Sequence, residues 1–514
     1  MSKTIIIIGA GLAGLSAALQ AAENGCNVKL VSSLPSERAQ SVMAEGGINA
    51  ALNTKDENDS PEEHFTDTIK AACGLADPNA VWGMTQAAPE LVHWLLKLGV
   101  KFNMSGYDDV DLRNFGGQKK KRTAFAQSDT GKQIMTAMID AVRRKEASGM
   151  VERFSHHSFL TLRLCGNICC GCVIRDEYSQ ETVELPGDAV IVATGGMHGL
   201  FGNTTGSLSN TGEVTAELFR LGVPLANGEM IQYHPTTVKC GGKRMLISEA
   251  ARGEGGRLFA MKDGKQWYFM EEKYPELGNL MPRDITAREI WKVSHESEVF
   301  LDMTEISEEI ISNKLSGLAD DCMTYLHKDI RKEPVSVLPG IHYFMGGILV
   351  DEQHRTPIQN LCAAGECCAQ YHGANRLGGN SLLGALYGGR VAAKSACEQV
   401  DVVDLSCATQ IDFPPASQIS EIKQLNKVMQ ETMGVVRNEN TLLNGIQTVQ
   451  ALTGNLPLLG MAVLKSALAR KESRGAHWRE DYPKSNDDDY LKTTVARFDG
   501  KQIQISFVPV PERR

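Results

Sequence analysis

The hydrophobic and polar positions of the first thirty residues follow the pattern of a strand, a helix and a second strand. Thr4 to Ile8 is an apolar run typical of a buried strand, and it leads into Gly9-Ala10-Gly11-Leu12-Ala13-Gly14. A helix is predicted from about Leu12 to Asn24, because Gly25 is the residue type that commonly follows a helix C-terminus. Cys26 to Ser32 is the predicted second strand. The chain therefore begins with a βαβ unit.

The pattern continues with helices and then with alternating strands. Ser60-Pro61-Glu62-Glu63 favours a helix start, since proline fits the first turn and acidic residues complement the helix dipole. Further helices are predicted for Ala80 to Leu98 and for Gly131 to Ser148. Phe159 to Val192 alternates as several strands and closes with Ala193-Thr194-Gly195-Gly196. A strand ending in such a turn is typical of a place where a dinucleotide crosses a sheet.

Composition and charge narrow the class of protein. With 514 residues the chain is long enough for several structural units, and its net charge of -9 argues against nucleic acid and against a basic membrane-binding face. Thr4 to Ala22 is nearly all apolar, but three glycines at motif spacing favour a phosphate loop over a signal or membrane segment. We expect a cytoplasmic protein without direct membrane insertion, whose membrane link, if it has one, runs through a partner.

Cysteine usage does not predict a metal or haem site. The chain has 13 cysteines but neither a C-x-x-C-H sequence nor a ferredoxin-type run. In Cys169-Cys170-Gly171-Cys172, strand geometry sends neighbouring side chains to opposite faces, and no second ligand pair follows at zinc spacing. We expect buried thiols in a reducing compartment.

The glycine turn in the first βαβ unit predicts a dinucleotide site, and the residues around it favour FAD over NAD. Backbone amides at the helix start would face a pyrophosphate. An NAD site usually carries an acidic residue at the end of the second strand, where this chain has Ser32 and Ser33. Glu366, after an apolar strand and Gly365, can accept ribose hydroxyls. The predicted cofactor-binding residues are Gly9, Gly11, Ala13, Gly14, Ser32, Gly46, Gly47, Thr194, Gly195, Glu366, Asn380, Ser381 and Leu382.

The domain organisation follows from where the nucleotide-type sequence is interrupted. From about Ala226 to Leu338 the chain changes to mixed helix and loop, rich in charge and methionine. Sequence typical of the nucleotide-binding fold resumes at His342, and a helix is predicted from Ser381 to Gln399. After a break at Asp401 to Pro415, a helical tail is predicted from Ser417 to Lys471. We predict an α/β fold with a Rossmann-like FAD-binding domain (residues 1–225 and 339–400), an inserted α+β capping domain (226–338) and a C-terminal helical domain with a short β-rich end (401–514).

One further stretch, Tyr371 to Leu383, combines glycines and asparagines with the lone Arg376. Such a segment supplies little apolar area, but it lets backbone approach a flat ligand while one guanidinium holds an anion.

Together these segments resemble the flavoprotein subunit of fumarate reductase and succinate dehydrogenase, with L-aspartate oxidase as a close relative. The resemblance covers nearly the whole chain. Its motifs are Ala44 to Leu52, Gln232 to Thr236, Glu249 to Gly256, Pro282-Arg283-Asp284, His342 to Ile348, His372 to Leu383 and Arg470 to His477.

The resemblance implies a reaction between the flavin and a small dicarboxylate such as fumarate or succinate. In the reducing direction one alkene carbon receives a hydride and the other a proton. The resemblance also implies roles for particular residues. Arg283 matches the proton donor, and Glu249 with Arg252 matches the relay that returns its proton. The residues that match the substrate-binding positions are His234, His342 and Arg376, with Ser248 where many members have threonine.

This chain departs from the family at Gln40. Membrane-complex members usually carry a histidine there that bonds covalently to the flavin, and glutamine cannot form that bond. We therefore expect noncovalent FAD, which favours fumarate reduction or an oxidase over succinate oxidation. The tail from Asp404 is shorter than in many reductase subunits, which bears on whether an iron–sulfur partner docks. The chain has no electron-donor motif of its own, so a partner subunit or a diffusible reduced flavin must supply electrons.

Three functions remain open at this point. The first is a fumarate reductase catalytic subunit. The second is L-aspartate oxidase, which forms iminoaspartate with O2 or fumarate as acceptor. Phe115-Gly116-Gly117-Gln118 and Arg122 to Ala126 resemble reductase sequence and favour the first. The third, a non-enzymatic flavin-binding scaffold, is disfavoured because candidates for every catalytic role are present.

Overall fold

The structure is a computed structural model that describes residues 2–106, 109–398, 413 and 418–514. In chain order, the first part contains β1 (Thr4–Ile8), α1 (Leu12–Glu23), β2 (Asn27–Ser32), β3 (Ile48–Asn49), α2 (Pro61–Ala71), α3 (Pro78–Leu98), β4 (Leu112–Arg113), β5 (Thr123–Ala124), α4 (Thr130–Ala147) and β6 (Val151–Ser155). The middle part begins with β7 (His157–Cys165), β8 (Ile168–Asp176), β9 (Thr182–Pro186), β10 (Ala189–Val192), α5 (Glu213–Arg220) and β11 (Leu225–Ala226).

The next segment contains β12 (Ile231–Cys240), β13 (Lys243–Leu246), α6 (Glu249–Gly253), β14 (Arg257–Lys262), β15 (Lys265–Trp267), α7 (Phe269–Lys273), α8 (Arg283–Val293), β16 (Val299–Asp302), α9 (Glu308–Lys314), α10 (Ser316–Asp321), β17 (Val335–Ser336), β18 (Leu338–Phe344) and β19 (Gly347–Leu349). The last part contains β20 (Leu361–Ala363), β21 (Cys368–Ala369), α11 (Asn380–Glu398), α12 (Ile419–Thr432), α13 (Glu439–Val449), α14 (Asn455–Ala469), α15 (Asp487–Tyr490), β22 (Lys492–Phe498) and β23 (Ile503–Pro509).

A five-stranded parallel sheet in the order β20-β10-β1-β2-β6 forms the centre of the nucleotide fold. The predicted βαβ unit is confirmed, and Gly25 after α1 has a φ of 79°. Helices α1 and α11 pack closely together, since a Cβ on Gly389 would lie 2.3 Å from the Ala13 carbonyl oxygen. Because the central strands are parallel, their carboxyl ends gather the turns after Ile8, Ser32, Val192 and Ala363 at one edge, where ligands of such sheets bind.

The early helix predictions hold to within a residue or two. Ser60 caps α2, its Oγ accepting from the Glu63 amide at 3.2 Å. The predicted α+β character of the segment from Ala226 to Leu338 holds, since the segment combines helices with two antiparallel sheets, β13-β12-β18 and β15-β14-β16-β17, although its individual strands were not predicted. The long strand β12 was hidden because its pairing with β18 has register shifts and its polar residues break the alternation.

The C-terminal part is helical with a β-hairpin end, as predicted. Helices α12, α13 and α14 share a core that includes Leu425, Met429 and Leu459. Strands β22 and β23 join β11, β19 and β21 in one sheet, which therefore combines segments on both sides of the proposed boundaries, and those boundaries stay a proposal. The break predicted at Asp401 to Pro415 lies, apart from Phe413, outside the described residues.

No helix among the described residues combines the length and the apolar character needed to cross a bilayer.

Cys169, Cys170 and Cys172 are buried free thiols in β8, as expected. Cys165 at the end of β7 is disulfide-bonded, so the expectation of thiols is wrong at that residue.

Candidate active site

A cavity of about 1150 Å³ lies where the carboxyl ends of the central strands meet the segment that follows Ala226. Most of the predicted cofactor residues line it: Gly9, Gly11, Ala13, Ser32, Gly46, Gly47, Thr194, Gly195, Glu366, Ser381 and Leu382. The predicted substrate and catalytic residues His234, Ser248, Glu249, Arg283, His342 and Arg376 line the same cavity. The structure thus brings residues from distant parts of the chain to one site.

Three predicted residues lie behind the cavity wall. A Cβ on Gly14 would lie 1.8 Å from the Gly9 carbonyl oxygen, so this glycine permits close packing of α1 on the turn. The Asn380 side chain is buried among Asn49, His64 and Thr68. Arg252 lies behind Glu249, to which it donates a hydrogen bond.

The cofactor end presents two helix N-termini to the cavity. Gly11 precedes α1 and carries no capping side chain within the described structure, and the first turns of α1 and α11 contain no acidic residue. Both helix starts therefore favour negative charge. Ser32 Oγ is buried without a hydrogen-bond partner among the described residues. Gly9 has a φ of 109°, and a Cβ there would lie 2.3 Å from the Ala193 carbonyl oxygen. These features fit a bound dinucleotide.

Glu366 lies beside the cofactor end. Its Oε1 accepts a hydrogen bond from the Phe344 amide at 3.1 Å and lies 3.7 Å from His198 Nε2. Burial raises the pKa of Glu366 to about 7. A carboxyl group in this position can accept hydrogen bonds from sugar hydroxyls, as the sequence predicts.

Gln40 also lines the cavity, in the single helical turn Gln40–Met43. Ser41 in the same turn accepts a hydrogen bond from the Leu12 amide at the start of α1. The carboxamide of Gln40 is thus placed at the wall of the cofactor site, and it lacks the nucleophilic nitrogen of an imidazole.

Two neutral histidines form part of the substrate end. The rings of His234, on β12, and His342, on β18, have centroids 5.1 Å apart. His342 Nδ1 lies 2.8 Å from Thr205 Oγ1, which fixes the ring. Burial, followed by the charge of Arg283, holds the pKa of both histidines well below the usual range. Uncharged imidazoles can therefore hydrogen-bond to an anionic ligand.

Arg376 supplies a buried positive charge at the same end. Its guanidinium carbon lies 4.3 Å from the centroid of the Tyr343 ring, which holds the side chain in place. Its Nε has no hydrogen-bond acceptor among the described residues. Burial and the charge of Arg283 lower the pKa of Arg376 to about 9. A buried guanidinium in this state is prepared to bind a carboxylate.

Arg283, at the start of α8, is held by a buried carboxylate. Its Nη2 and Nε donate to Glu249 Oε2 at 2.6 and 2.8 Å, and Arg252 Nη2 donates to Glu249 Oε1 at 3.2 Å. Burial alone would raise the pKa of Glu249, but the charges of Arg283 and Arg252 bring it below its usual value. Ser248 caps the short helix α6 that carries Glu249 and Arg252. The three side chains form a continuous hydrogen-bonded path.

Sequence reasoning did not single out Gln232 or Arg113. Gln232 Oε1 accepts from Arg283 Nη1 at 3.1 Å, and its amide nitrogen donates to the Arg376 carbonyl oxygen at 2.9 Å. Gln232 lies inside the Gln232 to Thr236 motif, which was the available signal. Arg113 donates to the Gly46 carbonyl oxygen and lies over the Phe125 ring, and no motif pointed to it.

Similarity to known proteins extends over the whole chain. Residues 4–382 match the family model described as an FAD binding domain, and residues 452–513 match that described as the fumarate reductase flavoprotein C-terminus. The chain is 38% identical to the succinate dehydrogenase flavoprotein subunit of Bacillus subtilis, over 100% of this chain and 98% of that protein. It is 32% identical to the 8-methylmenaquinol:fumarate reductase flavoprotein subunit of Wolinella succinogenes, over 100% and 92%.

Among solved structures, a mutant FrdA of Escherichia coli quinol fumarate reductase superposes with a TM-score of 0.90 at 27% identity, covering 99% of this chain and 97% of that one. The predicted fold class and the FAD cofactor are confirmed. The chain is an FAD-dependent oxidoreductase that belongs to the succinate dehydrogenase and fumarate reductase flavoprotein family.

Proposed function

We propose that this protein reduces fumarate to succinate on noncovalently bound FAD. The observation that carries the proposal is the set of groups at the substrate end of the cavity. Arg376 and two neutral histidines lie in one buried space with Arg283, which Glu249 holds at 2.6 Å. A small dianion needs several positive and hydrogen-bonding groups together, and a reduced alkene needs a proton donor on the carbon that does not receive the hydride.

Each side chain has a distinct task in this proposal. Arg376 binds one carboxylate, and His234 with His342 hydrogen-bonds to the substrate and orients it. Polarisation of a carboxylate makes the alkene more electrophilic. The bound FAD supplies the two electrons as a hydride equivalent. Arg283 gives a proton to the other alkene carbon, and Glu249, with Arg252 behind it, returns a proton to Arg283.

Gln40 supports two parts of the proposal, the direction of the reaction and the noncovalent binding of FAD. Its amide gives no covalent attachment to a flavin, so helix dipoles, backbone amides and shape must hold FAD. A histidyl link, as in membrane-complex relatives, raises the flavin potential and assists succinate oxidation. With Gln40 in that position, we propose fumarate reduction as the favoured direction.

The electrons are proposed to come from outside this chain. The named relatives are subunits, and this chain carries no haem or iron–sulfur sequence motif. An iron–sulfur subunit is the proposed partner, with a diffusible reduced flavin as the other source. The cytoplasmic location remains a proposal.

The test sets two substrates side by side. Purified protein with reduced methyl viologen should oxidise the dye when fumarate is added, and aerobic incubation with L-aspartate should release no peroxide. L-aspartate oxidation without viologen-linked fumarate reduction would show instead that the protein is an L-aspartate oxidase. The relatives named above give no support to that alternative.

A further inference from the structure

The buried side chain of Asn49, at the end of β3, uses its full hydrogen-bonding capacity. Its Oδ1 accepts from Thr123 Oγ1 at 2.6 Å and from Gln118 Nε2 at 3.1 Å. Its Nδ2 donates to the Gly378 carbonyl oxygen at 2.7 Å and to Asn380 Oδ1 at 2.8 Å. Since a backbone carbonyl can only accept, the Gly378 contact fixes which end of the amide carries the nitrogen.

The segment that Asn49 contacts contributes residues to both the substrate end and the cofactor end of the cavity. It begins at Arg376, which faces the substrate end, and continues to Ser381 and Leu382, which line the cofactor end. The backbone N–H of Asn49 also donates to the Gly379 carbonyl oxygen at 3.1 Å. Asn49 thus contacts Gly378, Gly379 and Asn380, which lead from Arg376 into the first residue of α11.

The packing around this segment leaves little freedom. Gly379 has a φ of 85°, and a Cβ there would lie 2.1 Å from Asn49 Oδ1. On the other side, a Cβ on Gly378 would lie 3.0 Å from Glu249 Oε2. The segment therefore lies between the Asn49 amide and the relay carboxylate, and a shift away from Asn49 would change its position relative to Glu249.

We propose that Asn49 is a positioning residue that sets Arg376 and the N-terminus of α11 relative to the Arg283–Glu249 pair. The part of this inference that concerns substrate rests on the proposed function. Removing the side-chain amide leaves the Gly378 carbonyl with one donor, Gln118 Nε2 at 2.8 Å. It also takes away the acceptor of Thr123 Oγ1 and one of the two acceptors of Gln118 Nε2. Unpaired buried groups are unfavourable, and the segment can restore their hydrogen bonds only by moving.

The experiment uses the FAD-bound full chain and malonate, a dicarboxylate that has no alkene to reduce. In Asn49→Ala we expect malonate to bind about tenfold more weakly, the equivalent of one unpaired buried group, while flavin content stays at the parent level. The flavin midpoint potential should shift to a more negative value, because the N-terminus of α11 favours added negative charge. Ser466→Ala, which removes a buried hydroxyl in α14 that bonds to Ala462, is the control and should change neither quantity.

A conservative variant separates positioning from general damage. Asn49→Asp, when ionised, only accepts hydrogen bonds, whereas its protonated carboxyl can donate to the Gly378 oxygen. Malonate affinity of this variant, divided by that of the parent at the same pH, should therefore rise as the pH falls. If Asn49→Ala does not fold, Thr123→Val removes one of the bonds to Asn49 and should still weaken malonate binding about threefold.

The outcomes separate this inference from the proposed function. Malonate affinity and flavin potential equal to those of the parent in folded Asn49→Ala or Thr123→Val would overturn the positioning role. A parent protein that neither binds malonate nor reduces fumarate would refute the proposed function, and the potential shift alone would then decide the role of Asn49.

Discussion

At the scale of single residues, the proposed proton donor is Arg283, which Glu249 holds by two hydrogen bonds. Replacing Arg283 with alanine removes the proposed proton donor and leaves the Glu249 carboxylate without its closest partner. General acid catalysis contributes about 10²–10⁴-fold, so kcat for fumarate reduction should fall by at least about that factor. FAD content, measured by absorbance after denaturation, should stay at the parent level.

Arg288 is a matched control for that substitution. It lies on the same helix, and its guanidinium carbon lies 4.0 Å from the centroid of the Trp478 ring, so it is engaged outside the cavity. Arg288→Ala removes this cation–π contact and a positive charge near Asp284, and neither Trp478 nor Asp284 lines the cavity, so kcat should stay within about twofold of the parent. Substantial turnover by Arg283→Ala would remove Arg283 from the acid role.

A second residue-scale prediction concerns Gln40. Because glutamine forms no bond to flavin, acid or heat should release all of the FAD into the supernatant. The measurement is flavin fluorescence in the soluble fraction and in the protein band after denaturing electrophoresis. A fluorescent band that survives electrophoresis would contradict noncovalent binding.

At the scale of elements, the turn from β1 into α1 depends on glycine. A Cβ on Gly14 would lie 1.8 Å from the Gly9 carbonyl oxygen, so Gly14→Ala must push α1 away from the turn. We expect loss of most bound FAD and a lower Tm, since overpacking costs about 1–3 kcal/mol or more.

Gly25→Ala is the control for that change. Gly25 also lies in the first βαβ unit, with a φ of 79°, but no atom of the described residues lies within 4 Å of a Cβ placed there. Its strain costs about 1 kcal/mol without disturbing the turn, so FAD should be retained. Equal FAD retention in both variants would show that the close approach at Gly14 is unimportant.

The elements also show what the sequence could and could not predict. The apolar run of β1, the capping Ser60 of α2 and the glycine turns each act locally, and the elements near them were predicted almost to the residue. Strand β12 was missed because the polar residues Gln232 and His234 interrupt its apolar pattern and its register with β18 is irregular. Polar residues selected for chemistry hide the alternation that reveals a strand.

The same distinction holds for the site. Arg376 and Glu249 were predicted to be at the site because they lie in sequence motifs that match the family. The Arg283–Gln232 contact, the four bonds of Asn49 and the burial that shifts the pKa of Glu366 depend on packing between segments far apart in the chain. No local pattern encodes them.

At the scale of the whole molecule, a buried ionic cluster joins the C-terminal part to the start of the β12 segment. Arg470 donates to Glu229 at 2.7 Å and to Glu472 at 2.8 Å, and all three side chains are fully buried. Arg470→Ala leaves two buried carboxylates without this partner, which costs about 3–5 kcal/mol. Thermal unfolding should show a Tm several degrees lower. Arg143→Ala, which breaks an exposed pair with Glu37, should leave Tm nearly unchanged.

We propose that this chain alone, with FAD bound, transfers electrons to fumarate in the cavity that holds Arg283 and Arg376. The most direct measurement is a single turnover under anaerobic conditions: the FAD of the purified protein is reduced chemically, fumarate is added, and flavin absorbance is followed. Reoxidation of the flavin with one equivalent of succinate formed, abolished in Arg283→Ala, is the predicted result. A reduced flavin that persists in the parent protein in the presence of fumarate would contradict the account.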